Sequence, residues 1–187
     1  MPLDRITVAT MPGVTLRLPE PGDAGSLSHA FTVNRAALDR WNPAPPDEFY
    51  TETGQAENIR QMRLGYEKGD LLPLLVLRDG RVVGDVSLFH VIRGPLQSAT
   101  LGYWIDVAEQ GRGLATAAVG VFADVTRDLL RLHRLEAGVS PANPASRRVL
   151  EKSGFTRIGL APRYLLAAGD WQDQILYQRV LGDERPG

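Results

Sequence analysis

The hydrophobic period changes abruptly near the middle of the chain, and this change restricts the fold more than any other feature. Residues 98–107 alternate between apolar and polar side chains, which predicts a β-strand with one buried face. From Leu114 the apolar residues recur at helical spacing and predict a helix of about 19 residues. Its apolar stripe consists of Leu114, Ala118, Val121, Phe122, Val125 and Leu129. A strand therefore leads through a short turn directly into a long helix.

Shorter elements surround this unit. The same patterns predict strands at residues 14–18, 74–77, 82–89, 135–139, 155–160 and 171–181, and helices at residues 24–34, 35–41, 52–68 and 144–152. Asp79 and Gly80 separate two apolar runs, and Asp-Gly is a strong signal for a tight hairpin. This order predicts an α+β (mixed α/β) fold, with one twisted mixed sheet of about six to seven strands and helices on both faces. With 187 residues, the chain fits a single domain, 1–187.

The composition excludes several classes of protein. Cysteine is absent, which rules out a disulfide scaffold, a cysteine-based zinc site and a cysteine nucleophile. The formal net charge of -1 supplies no positive field, so we expect no nucleic acid and no membrane among the partners. The first residues lack the apolar run of a secretory signal, and no apolar stretch is long enough to span a bilayer. We therefore expect a cytoplasmic protein.

The turn between the predicted strand and helix contains two glycines, Gly111 and Gly113. A helix N-terminus exposes unpaired backbone N–H groups, and glycines allow an anion to approach the main chain closely. A pyrophosphate would fit there, although the spacing alone equally allows a glycine-rich turn without a ligand. Neither G-x-x-x-x-G-K-[ST] nor G-x-G-x-x-G occurs, so neither an ordinary P-loop nor an ordinary dinucleotide fold is supported.

A second polar group begins the helix predicted at residues 144–152. Asn143 followed by Pro144 is typical of a helix N-cap and first helical position, which by itself explains both residues structurally. Ser146 comes three residues after Asn143, so both polar side chains lie near the start of one helix. This helix is expected to run beside the one that follows the glycine turn.

Together the two stretches resemble the GNAT family of acyl-CoA-dependent N-acyltransferases. The family pattern Q/R-x-x-G-x-G/A is matched by Gln110, Gly113 and Ala115. The pattern N-x-x-S followed by V-L-E-K-x-G-F is matched from Asn143 to Phe155. The segments 16–24 and 102–105 resemble the subgroup that contains the ribosomal-protein alanine N-acetyltransferases. Residues 35–70 match poorly, and acceptor specificity usually resides there in the family.

The resemblance implies a V-shaped sheet whose fourth and fifth predicted strands splay apart around acetyl-CoA, the co-substrate. Main-chain groups from Ile105 to Val107 would then meet the pantetheine, and the Asn143 side chain would hydrogen-bond the pantetheine arm. The pyrophosphate would be cradled by Gln110, Gly111, Arg112, Gly113, Leu114, Ala115 and Thr116.

The resemblance also suggests catalytic groups. Ser146 resembles a hydroxyl that protonates the departing thiolate in this subgroup, and Tyr103 is a rival because a tyrosine does so in other family members. The apolar face on which Tyr103 lies also fits a plain core aromatic residue. An attacking amine must lose a proton, but no acidic residue lies between Lys152 and Asp170, where some subgroup members carry a glutamate. The remaining candidates for a base are Asp85, Glu136 and Asp173.

We therefore expect acetyl transfer to a primary amine by direct attack in a ternary complex, with a protein N-terminal α-amino group as acceptor. The alternatives are a small amine such as an antibiotic, a polyamine or an amino acid, a larger acyl group, or a non-catalytic acyl-CoA-binding module. The three histidines are too scattered to suggest a metal site, so no metal is expected. The sequence leaves a homodimer open.

Overall fold

The computed structural model describes residues 6–7, 11–167 and 169–182. Within them, eight strands form one sheet in the order β1-β2-β3-β4-β5-β6-β8-β7. The strands are β1 Ile6–Thr7, β2 Val14–Arg17, β3 Leu72–Arg78, β4 Arg81–Ile92, β5 Ser98–Ile105, β6 Arg134–Val139, β7 Thr156–Ala167 and β8 Asp170–Val180. The helices are α1 Ala24–Leu38, α2 Glu52–Lys68, α3 Leu114–Val125 and α4 Pro144–Lys152. The α+β prediction is confirmed, although the predicted strands do not include β1. Most of the N-terminal stretch used for the export expectation lies outside the described residues.

The β3–β4 hairpin forms at the predicted Asp-Gly pair. Asp79 and Gly80 have φ angles of 51° and 82°, and Arg78 pairs with Arg81 across the turn. Positive φ at both central residues is the conformation of a two-residue turn whose twist matches that of the flanking strands. Local sequence chemistry therefore sets the register of this hairpin.

Helix α1 is one continuous helix, and the prediction of two short helices at residues 24–34 and 35–41 is wrong. The polar residue at the predicted break, Asn34, is buried and does not cap a second helix. Its Nδ2 donates to the Ala30 carbonyl at 2.9 Å within the same helix, and its Oδ1 accepts from the Val107 N–H at 2.8 Å. A long-range contact thus satisfies a side chain that locally resembles a helix end.

Helix α3 ends in a wider turn than its sequence period predicts. A π-helical turn covers Thr126–Leu130, and the buried Thr126 hydroxyl donates to the Phe122 carbonyl at 2.8 Å. The widened turn rotates the apolar stripe, so Leu129 is exposed and the predicted stripe is wrong at that position. Leu132, just beyond the turn, is buried instead.

The sheet carries helices on both faces, as predicted. Cross-strand register places Leu74, Val86 and Tyr103 on one face, which packs against α3 and α4 in the larger core. Leu75, Asp85 and Trp104 lie on the opposite face, where the smaller core joins the sheet to α1 and α2. We call these the α3/α4 face and the α1/α2 face. Among the described residues, no helix is both long and apolar enough to cross a bilayer.

Candidate active site

The sheet opens in its middle, between β5 and β6. These parallel strands pair only from Ser98 to Thr100 and from Arg134 to Glu136. On their outer sides, β5 continues to pair with β4 up to Ile105, and β6 with β8 up to Val139. The strands therefore diverge toward their C-terminal ends, as the V-shaped sheet requires. Backbone N–H and C=O groups along the facing edges need partners, which an extended ligand arm can supply.

The glycine turn forms an anion-binding geometry at the open end of this gap. Gly111 and Gly113 have φ angles of 76° and 80°, and Gly113 is the N-cap of α3, so no side chain caps the helix. The first helical bond runs from the Ala117 N–H to the Gly113 carbonyl, which leaves the first-turn N–H groups of Leu114, Ala115 and Thr116 without partners inside the helix. A Cβ on Gly111 would meet no atom within 4 Å. The turn is thus open, and its N–H groups and helix dipole favour an anion.

A cluster of ion pairs anchors the base of this turn. Glu109 is buried, with Arg78, Arg81 and Arg112 at 3.1, 3.3 and 3.5 Å. Asp106 lies 3.6 Å from Arg81, and its Oδ1 accepts from the Ala108 N–H at 2.9 Å. Three guanidinium groups thus surround two carboxylates, which leaves positive charge beside the turn. The Arg112 side chain is mostly exposed and lies within the predicted pyrophosphate cradle.

Side chains hold the junction between β5 and the turn. Val107 lies in a 3-10 turn, Val107–Glu109, and not in the strand as predicted, because the Asp106 side chain caps that turn. The Val107 N–H donates to Asn34, and Gln110 Nε2 donates to the Ile105 carbonyl at 3.1 Å. Two of the main-chain groups predicted to meet pantetheine are therefore already hydrogen-bonded within the protein. Nothing in the sequence marks Asn34, since a single polar residue in an apolar helix gives no signal of a long-range contact.

The structure brings the two rival hydroxyl groups together on the α3/α4 face. The Tyr103 hydroxyl lies 2.8 Å from Ser146 Oγ, and it also donates to the Ser146 carbonyl at 3.1 Å. Either hydroxyl can be the donor in the shorter contact, so the two groups form one hydrogen-bonded pair. Burial raises the pKa of Tyr103 to about 12, which keeps its proton in place at neutral pH.

Asn143 caps α4, as its sequence pattern predicts. Its Oδ1 accepts from the Ser146 N–H at 3.0 Å, so the cap bond uses the backbone of Ser146 and leaves the serine hydroxyl to Tyr103. The structural explanation of Asn143 is thus realised. The cap bond occupies the oxygen of the side-chain amide. The amide N–H₂ group can still donate hydrogen bonds to a ligand.

The three candidate carboxylates have different surroundings. Asp173 Oδ1 accepts from the Arg163 N–H at 2.9 Å within the β7–β8 hairpin. Glu136 lies 3.7 Å from Arg134 and is partly exposed. Asp85 accepts from Trp104 Nε1 at 2.8 Å, and burial raises its pKa to about 6. The structure therefore separates candidates that the sequence leaves equivalent.

The comparisons with known proteins agree with this arrangement. Residues 14–156 match the family described as Acetyltransferase (GNAT) domain. The probable N-acetyltransferase YjcK of Bacillus subtilis is 39% identical over 142 residues, which cover 75% of this chain and 78% of that protein. The crystal structure of ribosomal-protein-S5-alanine acetyltransferase from Vibrio fischeri has a TM-score of 0.91 and 28% identity, over 97% of this chain and 99% of that one. Mycobacterium smegmatis RimJ in complex with CoA-disulfide has a TM-score of 0.86 and 34% identity, over 89% of this chain and 81% of that one. Because the family match spans most of the chain, the protein belongs to the GNAT family of N-acetyltransferases.

Proposed function

We propose that this GNAT N-acetyltransferase transfers the acetyl group of acetyl-CoA to the α-amino group of a protein N-terminus, by direct attack in a ternary complex. The observation that carries the proposal is the gap between β5 and β6, which ends at the uncapped N-terminus of α3. A thioester arm fits along the gap while its pyrophosphate meets the helix N-terminus. We also propose that the enzyme acts as a single domain, 1–187, in the cytoplasm, without a metal.

The donor side rests on the glycine turn and its neighbours. The N–H groups of residues 111–116 and the Arg112 side chain would hold the pyrophosphate, and Gln110 would position the turn through the Ile105 carbonyl. The edge of β5, which ends at Ile105, and the turn at Val107 would guide the pantetheine, and the Asn143 amide N–H would hydrogen-bond it. Support comes from the Mycobacterium smegmatis RimJ structure, whose complex contains CoA-disulfide.

The chemical step would use the hydroxyl pair. Ser146, placed by the α4 cap, would donate its proton to the sulfur as the thiolate forms, and Tyr103 would resupply that proton across the 2.8 Å contact. Because the proton of Tyr103 is tightly held, this tyrosine acts as a hydrogen-bond donor and not as a base. Direct attack suits this chain, which has no cysteine to carry an acyl group.

The acceptor class rests on the likeness to the ribosomal-protein-S5-alanine acetyltransferase from Vibrio fischeri. A second acceptor class, a small amine, is favoured by a different observation. Phe31 lies 5.0 Å from Trp104 and 4.8 Å from Phe49 by ring centroids, and the partly buried rings of Trp104 and Phe49 offer a compact substrate an apolar surface on the α1/α2 face.

A panel of acceptors distinguishes these functions. We expect acetyl-CoA-dependent thiol release with short peptides that carry a free N-terminus, and none with the same peptides blocked at the N-terminus. Release with polyamines or free amino acids alone would favour the small-amine alternative. Binding of acetyl-CoA without release for any amine would identify a non-catalytic acyl-CoA-binding module.

A further inference from the structure

Asp85 lies on β4, one strand away from the gap between β5 and β6. It is paired across the strands with Leu75 of β3 and Trp104 of β5, so its side chain lies on the α1/α2 face. The hydroxyl pair acts from the opposite, α3/α4 face. Strand β5 borders the gap, and neighbouring strands are about 4.8 Å apart. Asp85 is therefore one strand away from the opening, and Gly102 and Trp104 between them are partly exposed.

The Asp85 carboxylate is held in place but not neutralised. Oδ2 accepts from Trp104 Nε1 at 2.8 Å, and Oδ1 has only a long contact of 3.4 Å with the Ser87 hydroxyl. Among the described residues, no lysine, arginine or histidine forms an ion pair with it, whereas Arg134 lies 3.7 Å from Glu136. A half-buried carboxylate without a cation is costly unless a cation or a proton joins it. The ammonium group of an acceptor would supply both the positive charge and a proton.

The acidity of the site fits an α-amine better than a lysine side chain. Burial raises the pKa of Asp85 to about 6, while the hydrogen bonds from Trp104 and Ser87 act in the opposite direction. A model α-ammonium group has a pKa of about 8 and a lysine ammonium about 10.4. The proton transfer to Asp85 is therefore less unfavourable from an N-terminus than from a lysine by about 2.4 pKa units, which is about 250-fold.

The two rival carboxylates are less suited to this role. Asp173 lies on the β7–β8 hairpin, where its Oδ1 already accepts from the Arg163 N–H. Glu136 shares the α1/α2 face through its pairing with Thr100, but it is more exposed and lies near Arg134. Trp104, which donates to Asp85, packs on Phe31 at 5.0 Å between ring centroids, so apolar rings lie beside this carboxylate.

We propose that Asp85 binds the ammonium group of the acceptor and removes its proton, directly or through one water molecule. This inference rests on the proposed acetyl transfer. The carboxylate takes one proton from nitrogen, and the nitrogen lone pair then forms the C–N bond while the C–S bond breaks. Ser146 gives its proton to the sulfur, and Tyr103 resupplies Ser146. The second proton of the attacking nitrogen replaces, by way of solvent, the one that the hydroxyl pair has lost, and the proton on Asp85 returns to solvent. Trp104 is a positioning residue that orients the carboxylate.

The test compares Asp85→Asn with Asp173→Asn. Asparagine keeps an oxygen that can accept from Trp104, so the variant should fold. We expect Asp85→Asn to lower kcat/KM for an N-terminal peptide at least about a hundredfold, with the KM for acetyl-CoA unchanged within about twofold. Asp173→Asn should retain wild-type activity, because an asparagine oxygen can still accept from the Arg163 N–H.

The pH profile supplies a readout that a purely structural role would not change. The wild-type kcat/KM should fall with decreasing pH through an apparent pKa near 6, because protonated Asp85 cannot accept a proton. The cross-strand neighbours of Asp85 on β3 and β5 are Leu75 and Trp104, and the ring that packs on Trp104 from α1 is Phe31; none of the three titrates in this range. Trp104→Phe removes a hydrogen bond that favours the carboxylate, so it should move this acid limb to higher pH.

Three results would overturn the inference. If the wild-type enzyme is active and Asp85→Asn is equally active, the role of Asp85 is refuted and the proposed acetyl transfer stays intact. The same holds if Glu136→Gln lowers kcat/KM about a hundredfold and shifts the acid limb of the residual activity, while Trp104→Phe leaves that limb unchanged. A wild-type enzyme that binds acetyl-CoA but releases no thiol with any amine refutes both proposals together.

Discussion

At the scale of single residues, the contact between Tyr103 and Ser146 decides how the hydroxyl groups should be tested. The hydroxyls are 2.8 Å apart, so they form one unit and not two independent candidates. The α4 cap uses the Ser146 N–H, and removal of the serine hydroxyl should therefore leave the helix intact. Activity and stability are thus separable at this site.

Ser146→Ala should lower turnover about tenfold to a hundredfold, because the variant loses the proton donor to the departing sulfur. Acetyl-CoA affinity and the melting temperature should change little. Tyr103→Phe should lower turnover less, since Ser146 keeps its own proton and loses only the resupply. Steady-state kinetics and thermal unfolding check both expectations. If Tyr103→Phe abolished turnover while Ser146→Ala remained fully active, the proton donor would be the tyrosine.

At the scale of elements, the N-terminus of α4 combines a structural bond with a free donor. Asn143→Asp keeps a side-chain oxygen for the Ser146 N–H, so thermal stability should stay near wild type. The substitution removes the amide N–H₂ and adds a negative charge, so CoA affinity should fall about tenfold or more. Asn143→Ala should lose both the cap, at about 1 kcal/mol, and the affinity. Calorimetry would contradict this assignment if Asn143→Asp bound CoA as tightly as wild type.

The turn before α3 gives a second prediction at this scale. Gly113→Ala adds a Cβ at a φ of 80°, which strains the backbone and narrows the approach to the first-turn N–H groups. Gly69→Ala is a matched control, because Gly69 has a φ of 78°, ends α2 and has no atom within 4 Å of the added Cβ. Both variants should lose similar thermal stability, and only Gly113→Ala should lose CoA affinity in calorimetry. Equal CoA binding by the two variants would move the pyrophosphate site elsewhere.

At the scale of the whole molecule, charge limits the range of partners. The formal net charge is -1, and many of the arginines are paired with carboxylates, as in the Glu109 cluster. A protein of this kind should not bind duplex DNA or free RNA measurably at physiological salt. Fluorescence anisotropy with a generic labelled duplex checks this expectation. A salt-sensitive complex in the sub-micromolar range would refute it.

Local chemistry was sufficient for much of the fold and for part of the site. The bounds of α2 and α4, the Asp79-Gly80 hairpin and the passage from β5 into α3 were predictable from sequence, because turn residues, caps and hydrophobic period act over a few neighbouring residues. The family resemblance added the splayed strands. The positions of the glycines and of Asn143 were also readable, since their special backbone and capping roles are local.

Tertiary structure alone decided the rest, because the deciding contacts join residues far apart in the chain. Asn34 reaches Val107 from within the continuous helix α1. Tyr103 reaches Ser146, which turns two rival candidates into one hydrogen-bonded pair. Burial against Trp104 distinguishes Asp85 from Glu136 and Asp173, and burial depends on how the whole sheet and its helices pack. No period or motif along the chain records which side chains will meet across a sheet.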